Sequence, residues 1–194
     1  MRVAVIKYNA GNTASVVNAL ARLGVESSVT DDANSIASAD RVIFPGVGEA
    51  STAMQYLRER NLDSAIKSLT QPVLGICLGM QLMCGYSEEN STECFGIFPD
   101  RVRRFDVDGL KVPHMGWNTI SSLRSPLFCG ITEGSYVYFV HSYYVEPAAN
   151  PIAASDYGVE FAAGMCRSNF YAVQFHPEKS GDVGERILEN FLRI

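Results

Sequence analysis

The chain is poor in histidine, has a single tryptophan and carries no long run of like charge. Only His114, His141 and His176 are available as imidazole bases. The cysteines Cys77, Cys84, Cys94, Cys129 and Cys166 are odd in number and include no C-x-x-C pair. That pattern argues against a metal site or a disulfide framework. It fits a reducing, cytoplasmic setting. Lys and Arg total 16 against 21 Asp and Glu, so no nucleic-acid partner is expected. The one basic cluster, Arg101-Val102-Arg103-Arg104, is short and reads as an exposed or edge strand. No apolar stretch approaches the roughly 18–20 residues of a membrane span, so no membrane partner is expected either. Residues 1–6 are too short an apolar run for a signal-peptide core. Repeats, low-complexity tracts and linkers are missing too.

What is present suits one domain over residues 1–194, because 47% of the chain is hydrophobic and can fill a core. Residues 2–6 read as a buried strand. Residues 8–13 form a polar turn in which Asn12 or Thr13 can cap a helix. Val16, Val17, Leu20 and Leu23 recur at helical spacing and Gly24 ends the helix. Residues 25–29 and 40–44 read as two more strands. Met54 to Leu69 suggests one helix, or two broken near Asn61, before Pro72 stops it. The expected fold class is α/β, with a mixed, mostly parallel sheet flanked by helices. In the second half, residues 85–93 read as a polar loop. Short strands are expected over 95–105, 110–120, 136–140, 152–155, 159–166 and 171–175. Ile187, Leu188 and Phe191 share one face of a closing helix over 183–192.

The stretch Pro72-Val73-Leu74-Gly75-Ile76-Cys77-Leu78-Gly79-Met80-Gln81 passes from a strand pattern to a helix pattern. Its cysteine has glycine at minus two and plus two, the layout of a nucleophile elbow with sulfur in place of hydroxyl. The amide of Leu78 would then face an oxyanion, and the helix N-terminus would favour thiolate. The competing reading is a buried structural cysteine. Pro45-Gly46-Val47-Gly48 follows the third strand. It reads either as a plain turn or as a loop whose amides approach a ligand at a strand's C-terminal end.

Gln174-Phe175-His176-Pro177-Glu178-Lys179-Ser180 offers a base and an acid. Pro177 keeps His176 out of the helical region. In an extended segment Glu178 would project to the same side as His176. Cys77, His176 and Glu178 therefore form a candidate nucleophile–base–acid set. His114 and His141 have no acid two residues on and read as structural histidines. Trp117 reads as core packing or as an interface anchor.

These motifs resemble those of the class I, triad-type glutamine amidotransferases, and the resemblance runs end to end. Besides the cysteine and His-Pro-Glu motifs, it covers Tyr8 with Gly11-Asn12, Pro45-Gly46-Val47-Gly48, Pro113-His114-Met115-Gly116-Trp117-Asn118 and Phe139-Val140-His141-Ser142-Tyr143. It departs where the family often has an aromatic residue and this chain has Glu49-Ala50-Ser51.

The resemblance implies a three-layer, flavodoxin-like sheet with a β-rich second half. It implies hydrolysis of L-glutamine through Cys77, His176 and Glu178, without a cofactor. Leu78 and Val47 would supply the oxyanion hole. Gly46, Gly48, Gln81, Glu89, His141, Ser142 and Tyr143 would form the substrate site. The Pro-Gly-Val-Gly and His-Met-Gly-Trp-Asn motifs are similar to those of family members that feed ammonia to a (β/α)₈-barrel cyclase, which makes imidazole glycerol phosphate and AICAR in histidine biosynthesis. Asn12, His114, Trp117 and Lys179 would then face that partner in a heterodimer. Rival readings are a glutaminase serving another synthase, a different cysteine hydrolase, a binding domain without chemistry, and a redox cysteine paired with Cys84.

Overall fold

Every other residue of the first strand faces the opposite side of a sheet that is apolar on both faces. The computed structural model describes residues 1–9, 12–146 and 151–194. Ala10 and Gly11, part of the expected first turn, lie outside the described residues. The first half runs β1 (Val3–Ile6), α1 (Thr13–Arg22), β2 (Ser27–Thr30), α2 (Ala33–Ala37), β3 (Arg41–Gly46), α3 (Ala50–Glu59), α4 (Leu62–Lys67), β4 (Val73–Cys77) and α5 (Leu78–Met83). The second half holds β5 (Tyr86–Ser87), β6 (Thr92–Glu93), β7 (Arg101–Arg104), β8 (His114–Thr119), β9 (Tyr136–His141) and β10 (Tyr143–Val145). It ends with β11 (Ala153–Asp156), β12 (Glu160–Arg167), β13 (Phe170–Val173) and α6 (Gly181–Arg193).

The main sheet has seven strands in the order β11-β12-β13-β4-β3-β1-β2. The pairs from β13 to β2 are parallel, and β11 and β12 add antiparallel strands at one edge. Because side chains alternate along a strand, Ala4, Ile6, Val42 and Phe44 point to one core, with Met54 and Leu57 of α3 and Met80 of α5. Val5, Ile43, Leu74 and Ile76 point to the other, with Val16 and Leu20 of α1 and Leu188 and Phe191 of α6. The result is helix, sheet, helix. Parallel strands covered on both faces read as continuous apolar runs, as β1, β3 and β4 do.

Two smaller sheets complete the second half, one in the order β10-β7-β5-β6 and one the β8-β9 hairpin. The expected edge strand at Arg101–Arg104 is an interior strand of its sheet, paired on both sides. Val102 is buried beneath it while the arginines stay exposed. Its guanidiniums find surface partners, Arg101 over the Tyr86 ring and Arg103 on Glu146 at 2.8 Å. Residues 85–93, expected to be a loop, carry two-residue strands and one 3₁₀ turn, too short to show a period. Helix α2 was not expected either. It is one turn, capped by Asp32, whose carboxylate accepts from Ser35 N at 2.7 Å, and it buries only Ile36.

The expected break at Asn61 is present: φ is 55° there and α3 and α4 are separate. Asn12 caps α1, as one of the two expected candidates. Glu49, where the family departure lies, caps α3 by accepting from Ser51 N and Thr52 N. Among the described residues no helix is long and apolar enough to cross a membrane.

Candidate active site

Cys77 is the last residue of β4 and Leu78 is the first of α5, so the chain turns from strand to helix at the cysteine itself. The turn puts Cys77 at φ 53° and ψ −107°. That conformation costs of order 1–3 kcal/mol in a residue other than glycine, and it persists only where the surroundings impose it. Here the packing does. A Cβ on Gly79 would overlap the carbonyl of Phe44 on β3, and one on Gly75 would sit 3.1 Å from the Gly79 backbone. The two glycines let α5 lie directly on the sheet, and the sharp turn lifts the sulfur out of it.

In the parallel register Gly46 stands opposite Cys77. Strand β13 runs beside β4 on its other side. His176 follows β13 with an extended backbone, φ −101° and ψ 94°. Its Nδ1 lies 2.8 Å from Glu178 Oε1, and the two side chains are 1% and 2% exposed. The contact was expected, but for another reason. Residues 177–179 form a 3₁₀ turn rather than an extended run, and the turn swings the carboxylate back onto the imidazole. The loop is pinned to β9: His176 N donates to Tyr138 O, Tyr138 N donates to Ser180 Oγ, and Ser180 Oγ–H donates to His176 O.

Among the described residues neither His176 Nε2 nor Glu178 Oε2 has a hydrogen-bond partner. Burial pulls the His176 pKa down. The negative charge of the Cys77 thiolate, and then Glu178, outweigh it and raise the pKa to about 10. Charge on the sulfur and on Glu178 therefore both favour the protonated imidazole.

A cavity of about 290 Å³ opens over the sulfur. Val47 and Gly48, then Cys77, Leu78 and Gln81, and Glu89 line it, together with Pro113, Val140, His141, Ser142 and Tyr143. Its volume is at the small end of the roughly 300–1,000 Å³ of small-molecule sites. It is large enough for one amino acid. Of the expected substrate residues only Gly46 is not in the lining. Burial raises the Glu89 pKa, although its Oε2 accepts from Ala50 N at 2.7 Å.

His141 and His114 form a buried pair across the β8-β9 hairpin, His114 Nδ1 lying 3.0 Å from His141 Nε2. His141 Nδ1 lies 2.7 Å from Tyr143 O and must donate to it. His141 Nε2 is then an acceptor and His114 Nδ1 its donor. Burial lowers the pKa of His141 to about 3 and of His114 to about 4. Both are neutral at physiological pH.

Of the four residues expected at the partner interface, Trp117 is 56% exposed, which removes the core-packing reading. Lys179 is exposed, with Nζ 6.0 Å from the Tyr138 ring, and Asn12 caps α1 at half burial. His114 is buried, and its side chain offers no surface to a partner. Cys84 is fully buried, and burial pushes its thiol pKa well above the usual range. That disqualifies it as a resolving thiol.

Sequence reasoning passed over Gln174 and Tyr8. Gln174 is fully buried, with Nε2 3.6 Å from Cys77 Sγ. The Tyr8 hydroxyl is buried without a partner among the described residues, and burial, then the Cys77 charge, raise its pKa. Both residues lie in motifs the sequence displays, but their neighbours are far away in the chain.

Residues 4–194 match the family described as glutamine amidotransferase class-I. The chain belongs to that family. This amidotransferase is 59% identical, over the whole of both chains, to the imidazole glycerol phosphate synthase subunit HisH of Bacteroides fragilis. It is 47% identical to the protein of the same name from Haemophilus influenzae, covering 99% of this chain and 97% of the relative. Among solved structures, a putative GMP synthase subunit from Thermoplasma acidophilum superposes with a TM-score of 0.77 at 21% identity. The match covers 100% of this chain and 92% of that one. At that identity the likeness establishes the fold of the amidotransferase and nothing further.

Proposed function

We propose that this amidotransferase hydrolyses L-glutamine to glutamate and ammonia. It passes the ammonia to a (β/α)₈-barrel cyclase that makes imidazole glycerol phosphate and AICAR in histidine biosynthesis. Residues 1–194 act as one glutaminase domain in a cytoplasmic heterodimer. The observation that carries the chemistry is the buried His176–Glu178 pair, whose Nε2 is free beside a cysteine on a strained elbow. The two full-length relatives named as this synthase's HisH component support the pathway and the existence of a partner.

Glutamine enters the cavity with its side-chain amide over Cys77. His176 takes the thiol proton and the sulfur attacks the amide carbon. The developing oxyanion accepts from Leu78 N–H and Val47 N–H, each such donor worth about 3–4 kcal/mol of barrier. His176 returns the proton to the departing nitrogen and ammonia leaves. A thioester remains, which water hydrolyses through a second oxyanion. Glu178 holds the imidazole tautomer and stabilises the imidazolium. Ammonia in bulk water at neutral pH is protonated and loses its nucleophilicity, so transfer has to be shielded. The outer face of the β8-β9 hairpin suits the docking partner. It exposes Met115, Trp117 and Tyr136, with Trp117 edge-on to Tyr138 and Lys179 beside it.

The test is ammonia release from glutamine by the purified chain, alone and with the cyclase and its ligand. Turnover should rise with the partner, because ammonia made without an acceptor is wasted. Equal turnover in both arms would overturn the pathway assignment. Stimulation by another ammonia-using synthase instead would assign the chain there.

A further inference from the structure

Gln174 is a polar side chain with no access to solvent, placed one residue beyond β13 and across from the elbow. Its Oε1 accepts from Gln81 Nε2 at 3.0 Å, and its own Nε2 lies 3.6 Å from Cys77 Sγ. The direction of both amides follows from one carbonyl. Tyr143 O lies 2.8 Å from the Gln81 amide, and a carbonyl can only accept, so nitrogen must face it. The second N–H of Gln81 then meets Gln174 Oε1, and the NH₂ of Gln174 is left facing the sulfur. The same carbonyl also accepts from His141 Nδ1 at 2.7 Å. With both lone pairs engaged, neither amide can turn over without stranding a buried donor.

We propose that Gln174 is a further catalytic residue, whose amide N–H donates to the Cys77 thiolate, and that Gln81 is the positioning residue that fixes that amide's direction. The proposal rests on Cys77 being the nucleophile. The neutral thiol has a different partner, the Val140 carbonyl, 3.8 Å from Sγ. When the S–H bond breaks, the proton goes to His176 Nε2 and the electron pair stays on sulfur. A thiolate loses its bond to the Val140 carbonyl and is repelled by it. The Gln174 N–H then strengthens, since hydrogen bonds to a charged group are about twice as strong as neutral ones. Gln174 neither gains nor loses a proton in the cycle.

The experiment is the rate of iodoacetamide alkylation of Cys77 in the full chain as a function of pH, read by mass spectrometry on the Cys77 peptide. Site resolution is needed because Cys129 is exposed and also reacts. The titratable groups that feel the sulfur's charge are His176, with Glu178 behind it, and Tyr8, while His141 and Glu89 line the same cavity. All are retained in the variants. Gln174→Met should raise the pH midpoint of alkylation by about one unit, the size of one charge-assisted hydrogen bond. Gln81→Met should shift it the same way by less. An unchanged midpoint in Gln174→Met overturns the inference. If that variant does not fold, Gln174→Leu, which also removes the N–H without adding a charge, must shift the midpoint upward or the inference fails. Protection of wild-type Cys77 by glutamine is measured alongside. Its absence would count against the nucleophile itself, and its presence with unmoved midpoints against Gln174 alone.

Discussion

Replacing Glu178 by glutamine changes one charge and almost no volume at a site that is 2% exposed, so its effect can be worked out from the surroundings. Glu178 Oε1 is 2.8 Å from His176 Nδ1, and Oε2 is buried without a partner. The glutamine amide can sit either way round. With oxygen toward Nδ1–H the tautomer survives, but the imidazolium loses its countercharge. A hydrogen bond to a charged group is worth about 1.5–3 kcal/mol, which lowers the His176 pKa by about 1–2 units. With nitrogen toward Nδ1, the imidazole carries its proton on Nε2 and cannot accept one from the thiol. Among the described residues no hydrogen-bonding group at the Oε2 position selects between the two. The expected fall in kcat is therefore ~10²- to 10⁴-fold, the upper end being the wrong-tautomer loss known for such triads. KM should change little, because Glu178 does not line the cavity. Glutamate release in the stimulated complex is the assay, with thermal unfolding to check that the fold is kept. A kcat within tenfold of wild type would refute the role given to Glu178.

The buried histidine pair predicts acid sensitivity. His141 has a folded pKa of about 3 against an ordinary 6.5, so the unfolded chain binds a proton there that the folded chain refuses. Stability is full above pH 6.5 and falls as pH drops, by about 1.4 kcal/mol per unit for one such group. Urea unfolding of His141→Asn between pH 6.5 and 4.5 should show a slope shallower by about one proton, and an unchanged slope contradicts the assignment. Gly79→Ala pushes a methyl into the Phe44 carbonyl and should lower stability by about 1–3 kcal/mol, as overpacking does, with glutaminase activity falling along with it. A stable, active variant would mean that the elbow is looser than its backbone angles imply. Trp117→Ala should weaken cyclase binding by about 2 kcal/mol or more without changing thermal stability, as for an exposed aromatic anchor. Unchanged affinity by calorimetry would move the interface elsewhere.

How much was legible in the sequence depends on how local the cause is. The elbow is spelled out in five consecutive residues, because glycine spacing, strand and helix all fall within one turn. His176 and Glu178 are two apart and could be paired on paper, although the expected mechanism, an extended run, is a 3₁₀ turn in fact. The core strands were readable because parallel strands buried on both faces are apolar throughout. Helix α2 was not, since one turn with a single buried residue leaves no period. The Gln81–Gln174 and His114–His141 contacts span 93 and 27 residues and depend on sheet order and hairpin register. The burial of His114 bears out its reading as a structural histidine, whereas the interface role implied by the resemblance fails, because His114 shares a motif with the exposed Trp117 but not a face. Alternation along β8 puts the histidine inside and Trp117 outside, but only the pairing with β9 says which face is which.

The central claim is that Cys77 is the nucleophile of a glutaminase whose product is used by a second protein. It is tested most directly with Cys77→Ala in complex with the cyclase, supplied in turn with glutamine and with ammonium salt. Glutamine-dependent product should vanish while ammonia-dependent product continues at the wild-type rate. Glutamine-dependent product from the Cys77→Ala complex would contradict the account.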